Sequence, residues 1–173
     1  MMYSIHAPKV ECISKGKAHR KYEFGNKASY STTSREGFVI GALSVHGNPC
    51  DGHTLSGAIE QAKHLCGGRK PGRVFVDQGY KGHGYAGDTG IHICDRRKLP
   101  SGLRRRARRR SAIGPIIGHT KNDGRLGRNY LRCIEGDRTN AMLCAVGQNL
   151  SRNLRFISCI LCTMAHVGGI FYI

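Results

Sequence analysis

The residues of this chain that could do chemistry fall into two groups. The first is Asp77, which closes the apolar run Val74-Phe75-Val76 and precedes Gln78-Gly79-Tyr80. A carboxylate at the end of a buried strand is held rigidly at the edge of a sheet, where two divalent cations can bridge it to a phosphodiester. Asp77 is therefore the best metal-ligand candidate, with an aspartate that merely caps the following turn as the plainer alternative. The second group is basic. Arg96, Arg97, Lys98, Arg104, Arg105, Arg106, Arg108, Arg109 and Arg110 follow one another with no acid among them. Six of the seven positions 104–110 are arginine, so a helix there displays guanidinium groups all round rather than on one face. Alone, such a run is solvated and self-repelling. Against a polyanion it becomes favourable, because each neutralised phosphate releases condensed counterions.

Composition supports a basic binding protein. The chain has 173 residues and 28 Lys+Arg against 11 Asp+Glu, a formal net charge of +17 and a pI near 10.0. That length and a hydrophobic content of 39% suit one core. The absence of Trp and an aromatic content of 7% argue against broad stacking platforms for single strands. The opening residues Met1 to Pro8 lack the basic flank and apolar centre of a secretory leader, so a reducing, cytoplasmic setting is expected. Eight cysteines are scattered through the chain, and only Cys159 and Cys162 form a C-x-x-C. Without a second pair this is a poor zinc site, and buried thiols are expected instead.

The elements that must position these groups follow from periodicity. Alternation from Tyr22 to Thr33, then Ser34-Arg35-Glu36-Gly37, then Phe38 to Val45, reads as a hairpin. Leu55, Ala58, Ile59, Ala62 and Leu65 place a helix over Thr54 to Leu65, ended by Gly67-Gly68. Short strands are expected at Val74-Phe75-Val76 and at Ile91 to Cys94. A helix weakened by Gly114-Pro115 fits Arg110 to Lys121, and Asn122-Asp123-Gly124 turns the chain. From Thr139 to Ile157, Leu143, Val146, Leu150, Leu154 and Ile157 form one apolar stripe. Residues 156–173 carry no charge but are diluted by Ser158, Thr163, His166 and Gly168-Gly169. They reach only the lower limit for a membrane span, so a docked helix or an irregular end is expected and no membrane partner. Residues 1–155 then form the domain and 156–173 an apolar tail.

Four strings, YSIHAPKVECISKGKAHRKYEFGNK, GNPCDGHTL, VFVDQGYKGHG and RRRSAIGPIIGHTKNDGRLGRNYL, resemble in order and spacing the C-terminal catalytic part of DDE transposases of bacterial insertion sequences, of the family-five type. The likeness runs from about Tyr3 to Leu154. It implies an α/β, ribonuclease-H-like mixed sheet flanked by helices, in which two aspartates and a glutamate hold two Mg²⁺ ions for DNA strand cleavage and transfer. On that pattern Asp77 takes the place of the second catalytic aspartate, with Tyr80 completing D-x-G-Y and Lys81 following it. Gly114 takes the place of the glutamate, since relatives read R-R-S-A-I-E-P where this chain reads Arg109-Arg110-Ser111-Ala112-Ile113-Gly114-Pro115. Lys121 falls where relatives place a lysine near substrate phosphate, and Asp51, beside His53, matches an acid outside the triad that reads as a turn or helix cap.

The departures from the pattern decide the expected activity. Glycine offers no side-chain oxygen at position 114, and Asp123 and Glu135 lie too far along to replace it. The first aspartate has no counterpart. His6 and Glu11 are the nearest polar residues to its strand, and Lys9 stands where relatives carry an acid. The resemblance thus implies a truncated, catalytically impaired transposase, with Mg²⁺ as the family's cofactor and with DNA and other transposase copies as partners. The competing reading is a noncatalytic basic DNA-binding protein that interferes with a full-length transposase. In both, Arg104, Arg105, Arg106, Arg108, Arg109, Arg110 and Lys121 are the expected nucleic-acid contacts.

Overall fold

The computed structural model describes residues 5–17, 20–95 and 99–167. Arg96, Arg97 and Lys98 of the basic block, and the end of the tail from Gly168, lie outside them. Two antiparallel hairpins come first: β1 (Glu11–Lys17) pairs with β2 (Arg20–Gly25), and β3 (Lys27–Thr32) pairs with β4 (Val39–Val45). The 15-residue helix α1 (Asp51–Leu65) follows, then β5 (Arg73–Val76) and β6 (Gly90–Ile93), which run parallel with Val74 opposite Ile91. Three helices close the chain: α2 (Ser101–Arg109), α3 (Ile113–Asn122) and α4 (Cys133–Val167).

The architecture is mixed α/β. The strands make three separate two-stranded ladders, where one mixed sheet was expected. Helix α1 sits between the β3–β4 hairpin and the β5–β6 pair, and two apolar clusters reflect this division. Tyr30, Val39 and Ala42 of the hairpin meet Ile116 of α3 and Ala141 and Ala145 of α4. Leu55 and Ile59 of α1 meet Val76 of β5, with Val74, Ile91 and Ile93 packed around them.

The β3–β4 turn matches its sequence. Gly37 has φ +68°, a left-handed conformation that side chains disfavour. Thr33 N donates to Phe38 O at 2.8 Å, and Thr33 Oγ1 accepts from Phe38 N at 3.1 Å. Farther along, Ser31 opposes Gly41 but Thr32 opposes Val39, so Ile40 is an extra residue in β4. A bulge of this kind reverses the alternation of faces. It puts Val39 and Ala42, three apart, in the same cluster, while a Cβ built on Gly41 would meet Gln61 of α1 at 3.2 Å.

Helix α4 departs most from expectation. It is one unbroken 35-residue helix that runs through residue 155. Its inner face is small and polar. Ala141 and Ala145 allow close approach to the hairpin, Tyr30 Oη donates to Ala141 O at 3.2 Å, and Asn149 grips Val39. Asn149 Oδ1 accepts from Val39 N and Asn149 Nδ2 donates to Val39 O, both at 2.8 Å, so one side chain replaces a strand partner. The predicted stripe points the other way: Leu143, Val146, Leu150, Leu154 and Ile157 are all exposed. Asp137, near the start of α4, pairs with Lys9 at 2.7 Å and accepts hydrogen bonds from Asn26 and Asn129. That gives Lys9 a structural partner. Among the described residues, no helix is long and apolar enough to cross a membrane.

Candidate functional site

Asp77 follows directly on Val76, whose carbonyl accepts from Cys94 N at 2.8 Å where β5 and β6 end side by side. It is thus a strand-end acid, and it is also a cap. Its backbone is extended (φ −76°, ψ 170°), and Oδ1 accepts from Gly79 N at 3.3 Å to start a 3-10 turn over Gln78–Tyr80. Oδ2 accepts from Arg110, the first residue after α2. Burial is the largest single influence on this carboxyl and pushes its pKa up. The Gly79 amide, the Arg110 guanidinium and the Gln78 amide together outweigh it, and the group is held below the ordinary carboxylate range.

A second carboxylate flanks the same turn. A Cβ built on Gly79 would lie 2.7 Å from Asp51 Oδ2, which explains why glycine follows Gln78. Asp51 opens α1 as its first residue, and Cys50 before it offers no side-chain cap. Lys27 Nζ reaches Asp51 Oδ1 at 3.0 Å and Pro49 O at 2.8 Å. Cys94 completes the neighbourhood. Burial pushes its thiol pKa up, Arg110 pulls it down and Asp77 raises it, with a net rise that keeps the thiol protonated at neutral pH.

Gly114 lies one helical turn beyond Arg110 on the helical path from α2 into α3, where it is exposed and is not among the residues lining the cleft that holds Asp77. A Cβ built on it meets nothing within 4 Å. Pro115 has no N–H to offer Ser111, and the path tightens to 3-10 geometry over Arg110–Ala112 just before it. Other expected residues lie elsewhere. Lys121 pairs with Glu23 of β2 at 3.5 Å. Glu11 Oε1 accepts from Gly47 N at 2.5 Å, and His6 is exposed. Asp123 pairs with His119, and Glu135 with Arg138. None of Lys121, His6, Glu11, Asp123 and Glu135 lines the cleft that holds Asp77.

These residues do not fit a two-cation centre. Asp77 and Asp51 are each neutralised by a basic side chain. Position 114 supplies no side-chain oxygen. Among the described residues, no three His, Cys, Asp or Glu side chains converge as a ligand set. Two divalent cations need several shared carboxylates.

The arginines are better organised than the sequence suggested. Leu103 and Ala107, one turn apart, are the half-buried positions of α2, so the helix has an inner seam. The exposed guanidinium groups form two rows, Arg104 with Arg108 and Arg105 with Arg109, beside Arg106. Arg105, Arg106 and Arg109 line a cavity of about 430 Å³ with Arg73 of β5, Arg35 of the β3–β4 turn, Ser34 and Phe75. Five arginines from three elements therefore converge without an acid between them. Arg106 and Arg109 also line a larger cleft of about 1050 Å³, in which Asp51 and Asp77 are the acids and Lys27, Arg110, Arg152 and Arg155 add positive charge. Asp77 thus lies along a continuous basic surface.

Sequence reasoning missed Arg35, Arg73 and the site role of Asp51. Arg35 and Arg73 are isolated basic residues in a turn and at a strand start, and only the tertiary fold brings them to α2. No protein-family profile, curated protein or solved structure matches the chain.

Proposed function

We propose that this chain binds the phosphate backbone of DNA without cutting it, as a derivative of an insertion-sequence transposase catalytic domain of ribonuclease-H-like descent that has lost its metal site. The observation that carries the binding is the acid-free convergence of Arg35, Arg73, Arg105, Arg106 and Arg109 on one cavity. Guanidinium groups suit phosphate oxygens in geometry as well as charge. Contacts of this kind set position and affinity but carry no base information, so binding is independent of sequence. The transposase ancestry rests on the four sequence strings and their order, and an aspartate directly after β5 is compatible with it.

Loss of cleavage follows from the donor set. Arg110 occupies the Asp77 oxygen that a cation would need, and Lys27 does the same at Asp51. The test has two parts. Fluorescence anisotropy with unrelated duplexes should give similar affinities that fall steeply with salt. A supercoiled plasmid carrying insertion-sequence ends, incubated with Mg²⁺ or Mn²⁺, should yield no nicked circles. Absence of binding at low salt defeats the proposal, and so does nicking that Asp77→Ala abolishes.

A further inference from the structure

The outward face of α4 has a pattern that its own domain does not use. Leu143, Val146, Leu150, Asn153, Ile157, Ile160 and Met164 follow one another at alternating steps of three and four. This is a strict heptad of first and fourth positions, with an average step of 3.5 residues. The six apolar members are between 42% and 65% exposed, and Leu154 and Leu161 beside them are equally open. On a helical wheel the stripe is centred about 110° round the helix from Ala141, Ala145 and Asn149, which hold α4 to the hairpin. Every residue from 152 to 164 is exposed, and the fold's own contact with this part of the helix is on the side of Arg152, which lies against Gly37 of the β3–β4 turn, rather than on the stripe.

We infer that α4 pairs with α4 of a second copy of this chain, making a homodimer through a helical seam from Leu143 to Met164. Three features select a second copy as the occupant. A 3.5-residue period suits a supercoiled partner helix of the same repeat, whereas a helix docked on a single globular body follows 3.6. The only charges between Arg138 and Val167 are Arg152 and Arg155, and both fall outside the first and fourth positions, where they meet no like charge across a symmetric pair. The seam spans about three heptads, or roughly 33 Å of helix. Its six apolar side chains, with Leu154 and Leu161 beside them, stand 42% to 65% open, an apolar area comparable with the roughly 800 Å² that each partner contributes to an ordinary stable interface. Asn153, the one polar seam residue, pairs with itself or a near neighbour across the interface and fixes the alignment of the helices, as single buried asparagines do in coiled coils.

The inference stands independently of DNA binding and responds to salt with the opposite sign. Each chain carries +17, so mutual repulsion weakens the dimer at low ionic strength and screening strengthens it. Sedimentation equilibrium of the full chain, free of nucleic acid, should give twice 19.0 kDa, with tighter association as salt rises. Leu150→Glu combined with Ile157→Glu should return the mass to 19.0 kDa, weakening association at least roughly 100-fold. Both side chains are exposed in the single chain, so the fold does not depend on them. Cys159→Glu puts the same charge on the opposite, also exposed face and should leave the dimer intact, while Asn153→Leu should tighten it. A wild-type chain that stays monomeric at all concentrations overturns the inference. So does a double variant that still dimerises, or a monomeric wild type that floats with anionic phosphatidylserine vesicles.

Discussion

Replacing Arg105 and Arg109 with glutamine removes two of the five guanidinium groups that line the acid-free cavity, without touching the inner seam of α2 at Leu103 and Ala107. With all five engaged on duplex DNA, the slope of log affinity against log salt should be about −4.5, from about 0.9 per neutralised phosphate. Affinity should then fall about 500-fold between 50 and 200 mM salt, on the same slope. The double variant keeps three contacts, so its slope should be about −2.7 and the same salt step should cost it only about 40-fold. Arg104 and Arg108 supply the control. They carry equal charge on the other row, and Arg104 already donates from Nε to Leu99 O at 3.0 Å. Arg104→Gln with Arg108→Gln should leave the slope within about 0.5 of the wild-type value. The assay is anisotropy of a labelled duplex titrated across a salt series. Equal slope changes from the two double variants would refute the cavity as the contact surface and return α2 to an undirected basic run.

Three further outcomes are expected. Asn149→Ala leaves both the N–H and the C=O of Val39 without a partner, and urea denaturation should show a loss of about 2 to 3 kcal/mol. Gly114→Glu meets no steric obstacle, yet plasmid nicking should stay absent, because Arg110 and Lys27 continue to neutralise the two aspartates. The Asp77 carboxyl is held below its ordinary value in the fold, so its contribution to stability is fully present above the unfolded carboxylate range near pH 4 and is lost as pH falls through the lower folded value. With the side chain about half exposed, screening keeps that contribution under about 1 kcal/mol. Acid titration of wild type against Asp77→Asn should show the stability advantage of the wild type shrinking as pH falls below the ordinary carboxylate range, and an advantage that does not change with pH would refute the assignment.

Local pattern made much of the secondary structure legible. The Gly37 turn, α1, and the β5 and β6 strands stand close to where alternation, helical spacing and glycine placed them. The β1 strand escaped notice because Glu11–Lys17 mixes apolar, polar and charged residues without a clean period. At the site, Asp77 was visible because an acid terminates a short apolar run. Asp51 looked like a cap, and its closeness to Asp77 depends on α1 crossing under the Gln78–Tyr80 turn, a tertiary fact that no local spacing carries. The arginine run announced its partner class, but its geometry depends on Leu103 and Ala107 fixing which row turns toward Arg73 and Arg35.

Helix α4 shows why periodicity alone misassigns a core. Its strongest apolar stripe and its buried face are different faces, because the hairpin it covers leaves little room. Tyr30 and the Ile40 bulge bring the backbones close, and only Ala141, Ala145 and the hydrogen-bonding Asn149 fit that gap. Larger side chains there would hold the helix off the hairpin and strand the Val39 backbone groups. Leucines are accordingly displaced to the outer face, where their 3.5-residue spacing serves a second helix. The same chain thus specifies two contacts with opposite chemistry: small residues and one amide inward, and a wide apolar seam outward. A substitution such as Ala145→Leu separates them. It enlarges the inner face without touching the seam, so it should lower the stability of the fold by about 1 to 3 kcal/mol through overpacking. Self-association of the molecules that remain folded should be unchanged. If Ala145→Leu instead weakened the dimer as much as Leu150→Glu with Ile157→Glu, the two faces would not be independent, and the assignment of the leucine stripe to a partner would fail.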